Sequence, residues 1–190
     1  SRDFALGNGK KRGGKRLLTA GTDVSVGKMY TSLSIEREMR ARGMKADFRA
    51  TGQTGILIAG DGVSVDAVVA DFISGAVEWL SPEAEDDHWD VIEGQGSLLH
   101  ASYAGVTLGL AHGAQADALV VCHEPTRPHM RGLPDYPMPT VRVCMEAQLE
   151  ACRLTNPAVR CVGVSINTSG LDEAAAADYL RATEDELGLP

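Results

Sequence analysis

Residues 20–31 read AGTDVSVGKMYT. Gly21 and Gly27 bracket five residues, and Lys28 follows directly. An apolar run at 16–20 comes just before and reads as a buried strand, while 28–42 carries helical spacing through Met29, Leu33, Ile35 and Met39. Strand, glycine-rich turn and helix in that order are the context of a phosphate-binding loop. Glycines let backbone N–H groups turn inward as an anion nest. The helix start adds positive potential, and Lys28 supplies a mobile cation. Two features depart from the common pattern. The spacing is Gly-x5-Gly-Lys rather than Gly-x4-Gly-Lys. Met29 stands where a Ser or Thr hydroxyl would bind Mg²⁺, and Thr31 is turned about 200° away along the helix. The plain alternative is a strand–turn–helix junction that needs glycine.

Outward from this stretch, strands and helices alternate. Strands are expected at 16–20, 46–50, 89–93, 117–122 and 159–166. Helices are expected at 28–42, 65–80, 141–154 and 172–187. Residues 51–62 read as a glycine-rich loop. Residues 124–140 hold five of the eight prolines and read as a long irregular loop. The implied fold is a three-layer α/β domain of the P-loop type, a mostly parallel sheet with helices on both faces. Ligands in such sheets bind at the carboxyl ends of the strands.

Composition agrees with one soluble domain. The chain has 190 residues, 44% of them hydrophobic and 23% charged, with net charge −8. No apolar run reaches the roughly 18 residues that span a bilayer. Arg2, Lys10, Lys11, Arg12, Lys15 and Arg16 crowd the start among glycines, and the rest is acidic. Residues 1–15 therefore read as a solvated linker, expected to lead from a preceding domain. The acidic body excludes a nucleic-acid footprint. The helix before Gly188 has no strand after it, so residues 16–190 are expected to form a P-loop domain short of its last strand or strands. Cys122, Cys144, Cys152 and Cys161 form no CxxC pair and read as reduced core thiols. With no signal peptide, a cytoplasmic location is expected.

Several further residues fall after strands. Glu93, in DVIEGQGSLLH (90–100), ends a strand and is a candidate general base or metal ligand. A loop cap through backbone amides is its alternative. Thr51, Gln53 and Thr54 are candidates to orient a polar substrate. In CHEPTRP (122–128), His123 is a second candidate base and Arg127 a carboxylate clamp; a surface pair of Arg127 with Glu124 is the alternative. His100 and His112 are weaker candidates. Asn167, in SINTSG (165–170), could read an adenine edge or form a turn.

The loop GTDVSVGKM, with VIEGQGS and SINTS, resembles two groups. The distant one is dethiobiotin synthetase and its P-loop kin. The nearer one is the DgcN-like, or D-glutamate N-acetyltransferase-like, family. Its resemblance runs from Leu17 onward through ATGQTGILIAGDGV, DAVVADFISGAVE, IEGQGSL, YAGVTLGLAHG and CHEPTR. It implies an enzyme that acetylates the amine of D-glutamate from acetyl-CoA, active as a homo-oligomer when full length. The loop residues Gly21, Thr22, Asp23, Gly27, Lys28 and Met29 would then grip the phosphates of CoA, which need no metal, and Asn167 would contact its adenine. Glu93 or His123 would act as base. Arg127 or Arg49 would hold the substrate carboxylate. The alternatives are a Mg·ATP-dependent ligase or kinase, with Asp23 and Glu93 on the metal, and a nucleotide-binding module without catalysis.

Overall fold

The computed structural model describes residues 5–190. Five parallel strands form one sheet in the order β2-β3-β1-β4-β7. They are β1 (Lys15–Gly21), β2 (Lys45–Arg49), β3 (His88–Ile92), β4 (Ala118–His123) and β7 (Arg160–Ile166). All five expected strands are present. β1 lies at the centre, paired with β3 through Leu17↔Val91 and with β4 through Leu18↔Leu119. Its residues from Arg16 to Gly21 are all buried, which matches an apolar run covered on both sides.

Alternation along β1 divides the core. Leu17, Val91 and Val120 face Ile35 and Met39 of helix α1 (Lys28–Ala41). Leu18, Ile92 and Leu119 face the other way, toward α3 (Ile73–Leu80), α4 (Ala104–Ala114) and α5 (Val141–Arg153). Helix starts follow local chemistry. The Thr140 hydroxyl accepts the Val143 N–H at 3.2 Å to cap α5. Asp172 caps α6 (Glu173–Leu187) by accepting the Ala175 N–H at 2.8 Å. The Glu36–Arg40 and Glu38–Arg42 pairs lie one turn apart along α1, as expected.

Four expectations are corrected. The loop at 51–62 contains a short helix, α2 (Gln53–Ala59). The helix expected over 65–80 is two single 3₁₀ turns followed by α3. Helix α4 is unanticipated, because its glycines and β-branched residues argue locally against helix. The proline-rich loop holds a hairpin of β5 (His129–Met130) and β6 (Leu133–Pro137). Prolines are tolerated in β6 because it pairs on one side only.

The basic start is largely exposed but tethered. The Asn8 and Gly9 N–H groups donate to Glu78 on α3. Lys11 pairs with Asp117 at 2.8 Å, and the Arg12 guanidinium donates to the Gly113 carbonyl. Arg16 is buried, donating to the Ser81 hydroxyl and the Pro82 carbonyl. Arg2 lies outside the described residues. The Pro190 carbonyl accepts the Val164 N–H at the edge of β7. No helix among the described residues is long and apolar enough to cross a membrane.

Glycines let α3 and α4 approach. A Cβ on Gly113 would lie 2.4 Å from the Ser74 carbonyl oxygen, whereas one on Gly105 would meet nothing within 4 Å. Gly113→Ala is expected to destabilise by about 2 kcal/mol through overpacking. Gly105→Ala is expected to stabilise by about 0.5 kcal/mol by removing chain entropy from the unfolded state. Thermal unfolding of both variants checks the opposite signs.

Candidate active site

The carboxyl ends of β1, β3 and β4 converge on the loop between Gly21 and Lys28. Gly27 takes the left-handed region, φ 106, and no side chain caps α1. The N–H groups of Gly27, Lys28 and Met29 have no acceptor among the described residues. Three donors at a helix start with nothing to bind are suited to an anion.

Lys28 is buried, and its Nζ donates to the Asp23 carbonyl at 2.8 Å. Burial pushes its ammonium below the usual lysine range, so a nearby anion would be welcome. Gly21 is required because a Cβ there would sit 2.9 Å from Lys28 Nζ. Met29 lines the open cavity. The Thr31 hydroxyl bonds Ser165 on β7, away from the loop, which agrees with its place along the helix.

The shape of the loop rests on Asp23, which is wholly buried. Its Oδ1 accepts the Val24 N–H at 2.7 Å. Its Oδ2 accepts the Arg127 guanidinium at 3.0 Å and the Arg131 N–H at 2.8 Å. Arg127 also donates to the carbonyls of Val24 and Ser25 and pairs with Glu124 at 2.8 Å. Asp23 and Arg127 are thus clamped to each other in this structure. The Thr22 hydroxyl is 2.8 Å from His123 Nδ1.

Glu93 stands just past β3, beside the loop, because β3 pairs with β1. It is buried and lines a cavity of about 380 Å³ together with Lys28, Met29, Gln95 and Asn167. Its Oε2 accepts the Thr51 N–H at 3.0 Å and the Gly52 N–H at 3.2 Å, while its Oε1 accepts Gln95 Nε2 at 3.2 Å. Burial pushes the carboxyl above the usual carboxylate range, and the two backbone donors and Lys28 only partly offset this. The Gly94 N–H donates to Thr19 Oγ1. A Cβ on Gly94 would lie 1.8 Å from the Thr19 carbonyl oxygen, so only glycine lets β3 leave beside β1 here.

The other candidates separate. His123 faces a different cavity, of about 340 Å³, with Tyr179; the rings stack at 6.1 Å and burial lowers the imidazole's pKa. Glu93 and His123 do not share a cavity. Asn167 lines the loop cavity while its Oδ1 accepts the Ser169 N–H, so it is a turn former as well. The Arg49 guanidinium donates to Asp90 at 2.7 Å and lies away from the loop. Thr51 donates to the Glu93 carbonyl at 2.6 Å, and Gln53 and Thr54 are exposed on α2. His100 does not line the loop cavity; its Nε2 bonds the Arg131 carbonyl and its Nδ1 accepts the Ser102 N–H. The four cysteines are free, with burial pushing Cys144 up to about 12 and Cys152 up to about 11.

A second cavity, of about 650 Å³, adjoins the first and shares Val24, Ser25, Gln95 and Gly96 with it. It also takes in Asp66, Tyr103, Val106 and Arg131. The sequence did not single out Asp66, Tyr103 or Arg131. The available signal was the position of Arg131 in the loop that follows β4.

The raised carboxyl of Glu93 has a thermodynamic consequence. The unfolded carboxyl loses its proton near pH ~4.3, and the folded one does so higher. Its contribution is therefore full below about pH 4.3 and is lost as pH rises through the folded value. Glu93→Gln stays neutral. The variant is expected to gain stability relative to the parent between about pH 4 and neutrality, followed by denaturant unfolding. Parallel pH profiles would contradict the assignment.

Comparison with known proteins agrees with this fold. Residues 4–190 match the family described as "Domain of unknown function (DUF1611_C) P-loop domain". Two curated relatives named D-glutamate N-acetyltransferase, from Tritonibacter scottomollicae and a Pseudoalteromonas species, are each 56% identical over 187 residues. The match covers 98% of this chain and 56% of each relative, so the chain spans about half the length of the curated relatives it matches. The crystal structure of a DUF1611 family protein from Anabaena variabilis is 38% identical with a TM-score of 0.89, over 99% of this chain and 55% of that one. Cobyrinic acid a,c-diamide synthase from Mycobacterium smegmatis, solved with ADP and magnesium, has a TM-score of 0.56 at 15% identity, over 93% of this chain and 84% of its own. That likeness shows the fold alone: the P-loop α/β architecture expected from the sequence. The motif resemblance and these relatives agree, and the chain belongs to the DUF1611 P-loop domain family.

Proposed function

We propose that this chain is the phosphate-binding domain of a cytoplasmic N-acyltransferase that moves an acetyl group from acetyl-CoA to the amine of D-glutamate. The supporting observation is the shared cavity of Lys28, the unpaired N–H groups of Gly27, Lys28 and Met29, and the raised carboxyl of Glu93. The names of the two relatives supply the substrate class.

In this reading the loop holds phosphate groups of CoA. Lys28 turns its Nζ from the Asp23 carbonyl to a phosphate oxygen and regains the charge that burial disfavours. Glu93 takes a proton from the substrate ammonium. A carboxyl with a raised pKa does this with a smaller driving-force gap than an ordinary one. The freed amine attacks the thioester carbonyl, a C–N bond forms, the C–S bond breaks, and the second proton lost by the nitrogen passes to the departing thiolate, giving the amide and the free thiol of CoA. Glu93 passes its proton to water.

The loop offers a hard cation little. Both oxygens of Asp23 are already engaged by N–H donors. Met29 brings a thioether to the position where Mg²⁺ prefers oxygen.

Lys28→Ala is expected to weaken CoA binding about ten- to hundredfold, the scale of a lost charge-assisted contact, by calorimetry on the intact protein. Unchanged affinity in a folded variant would remove the loop from the site. EDTA is expected to leave both CoA affinity and acetyl transfer unchanged. Activity lost to EDTA and restored by Mg²⁺ would favour a metal–nucleotide ligase or kinase.

A further inference from the structure

Both arginines expected to hold a substrate carboxylate are committed elsewhere. Arg127 clamps Asp23 and Glu124, and Arg49 pairs with Asp90. Arg131 is different. Its backbone is fastened on both sides: the N–H donates to Asp23 Oδ2 at 2.8 Å, and the carbonyl bonds His100 Nε2 at 3.0 Å. Gly132, at φ 78, turns the hairpin immediately after it. The guanidinium, in contrast, has no hydrogen bond or ion pair among the described residues. A rigid backbone therefore carries an unpaired cation on the wall of the larger cavity.

The same cavity holds an unpaired anion. Asp66 sits in a 3₁₀ turn whose neighbour Val65 is wholly buried and donates its N–H to the Thr51 carbonyl. The Asp66 carboxylate has no partner among the described residues, and it is near enough to Glu93 to add to the rise in that carboxyl's pKa. Tyr103 closes the wall, its ring 4.6 Å from that of His100. The Tyr103 carbonyl lies against Gly96, where a Cβ would come within 2.9 Å. Gln95 joins the two cavities, with its Nε2 on Glu93 and Thr51.

We infer that the cavity of about 650 Å³ beside the loop is the acceptor pocket for an anionic amino acid, with Arg131 holding a carboxylate and Asp66 the ammonium group. The volume is within the usual range for small-molecule sites. Opposite charges, unpaired among the described residues and lining one cavity, match a zwitterion bearing an extra carboxylate. Shared walls with the loop cavity bring the amine toward Glu93. The inference rests on the acyl-transfer reading for the reaction, but the pocket itself stands on the placement of these charges.

The test is steady-state kinetics and calorimetry on the intact protein with D-glutamate and acetyl-CoA. Arg131→Ala and Asp66→Asn are each expected to raise the KM for D-glutamate about tenfold or more, the scale of a lost charge-assisted contact. The KM for acetyl-CoA and the unfolding temperature stay near the parent values, since both side chains are exposed. Arg131→Lys, which keeps the charge and the backbone bonds, is expected to recover part of the loss. Unaltered KM for D-glutamate in both alanine and asparagine variants, with transfer intact, overturns the pocket and leaves the acyl-transfer reading standing. D-Glutamate binding that depends on Arg131 without any acetyl transfer overturns the reaction and keeps the pocket. No binding of D-glutamate by the parent overturns both.

Discussion

A wholly buried carboxylate, Asp23, organises the site. It accepts the Val24 N–H of its own loop, the Arg127 guanidinium from beyond β4, and the Arg131 N–H at the hairpin. Two loops about a hundred residues apart in sequence are tied at one side chain. A buried charge is costly unless it is paired and hydrogen-bonded. Asp23 meets that condition on both oxygens, and removing one partner of such a pair typically costs about 3–5 kcal/mol. With the loop held from outside, its own N–H groups are left free to face the cavity.

The same arrangement explains why the cation and the carboxyl of the cavity are both poised. Lys28, at the start of α1, and Glu93, just past β3, are both buried, and desolvation disfavours each charge. Lys28 rests on a backbone carbonyl that an incoming phosphate could replace. Glu93 rests on the Thr51 and Gly52 N–H groups, which hold its orientation and leave Oε1 toward Gln95. Glycine at position 55 makes this contact possible, since a Cβ on Gly55 would lie 2.3 Å from Glu93 Oε2.

The parallel sheet and the phosphate loop were legible because their signals are local. Apolar five- to seven-residue runs mark the strands, and Gly21, Gly27 and Lys28 fall at a strand-to-helix boundary. Helix α4 was not legible, because it is set by packing: Gly109 and Gly113 weaken it locally but let it meet Ile73 and Ser74 of α3. The hairpin at 129–137 was hidden by its prolines. The partners of Arg127 were illegible for another reason. The sequence places it at the active edge, yet only the fold shows that Asp23, 104 residues away, already engages its guanidinium. That the Arg131 guanidinium has no partner among the described residues follows from the same long-range geometry.

The central claim is that the loop from Gly21 to Lys28 receives the phosphates of CoA. The most direct measurement is ¹H–¹⁵N NMR of the intact protein during titration with CoA. The amide signals of Gly27, Lys28 and Met29 are expected to move downfield together as their free N–H groups acquire phosphate acceptors, at the same CoA concentration that saturates binding. Saturable CoA binding with these three amides unmoved, and the shifts confined to another part of the molecule, would contradict the account.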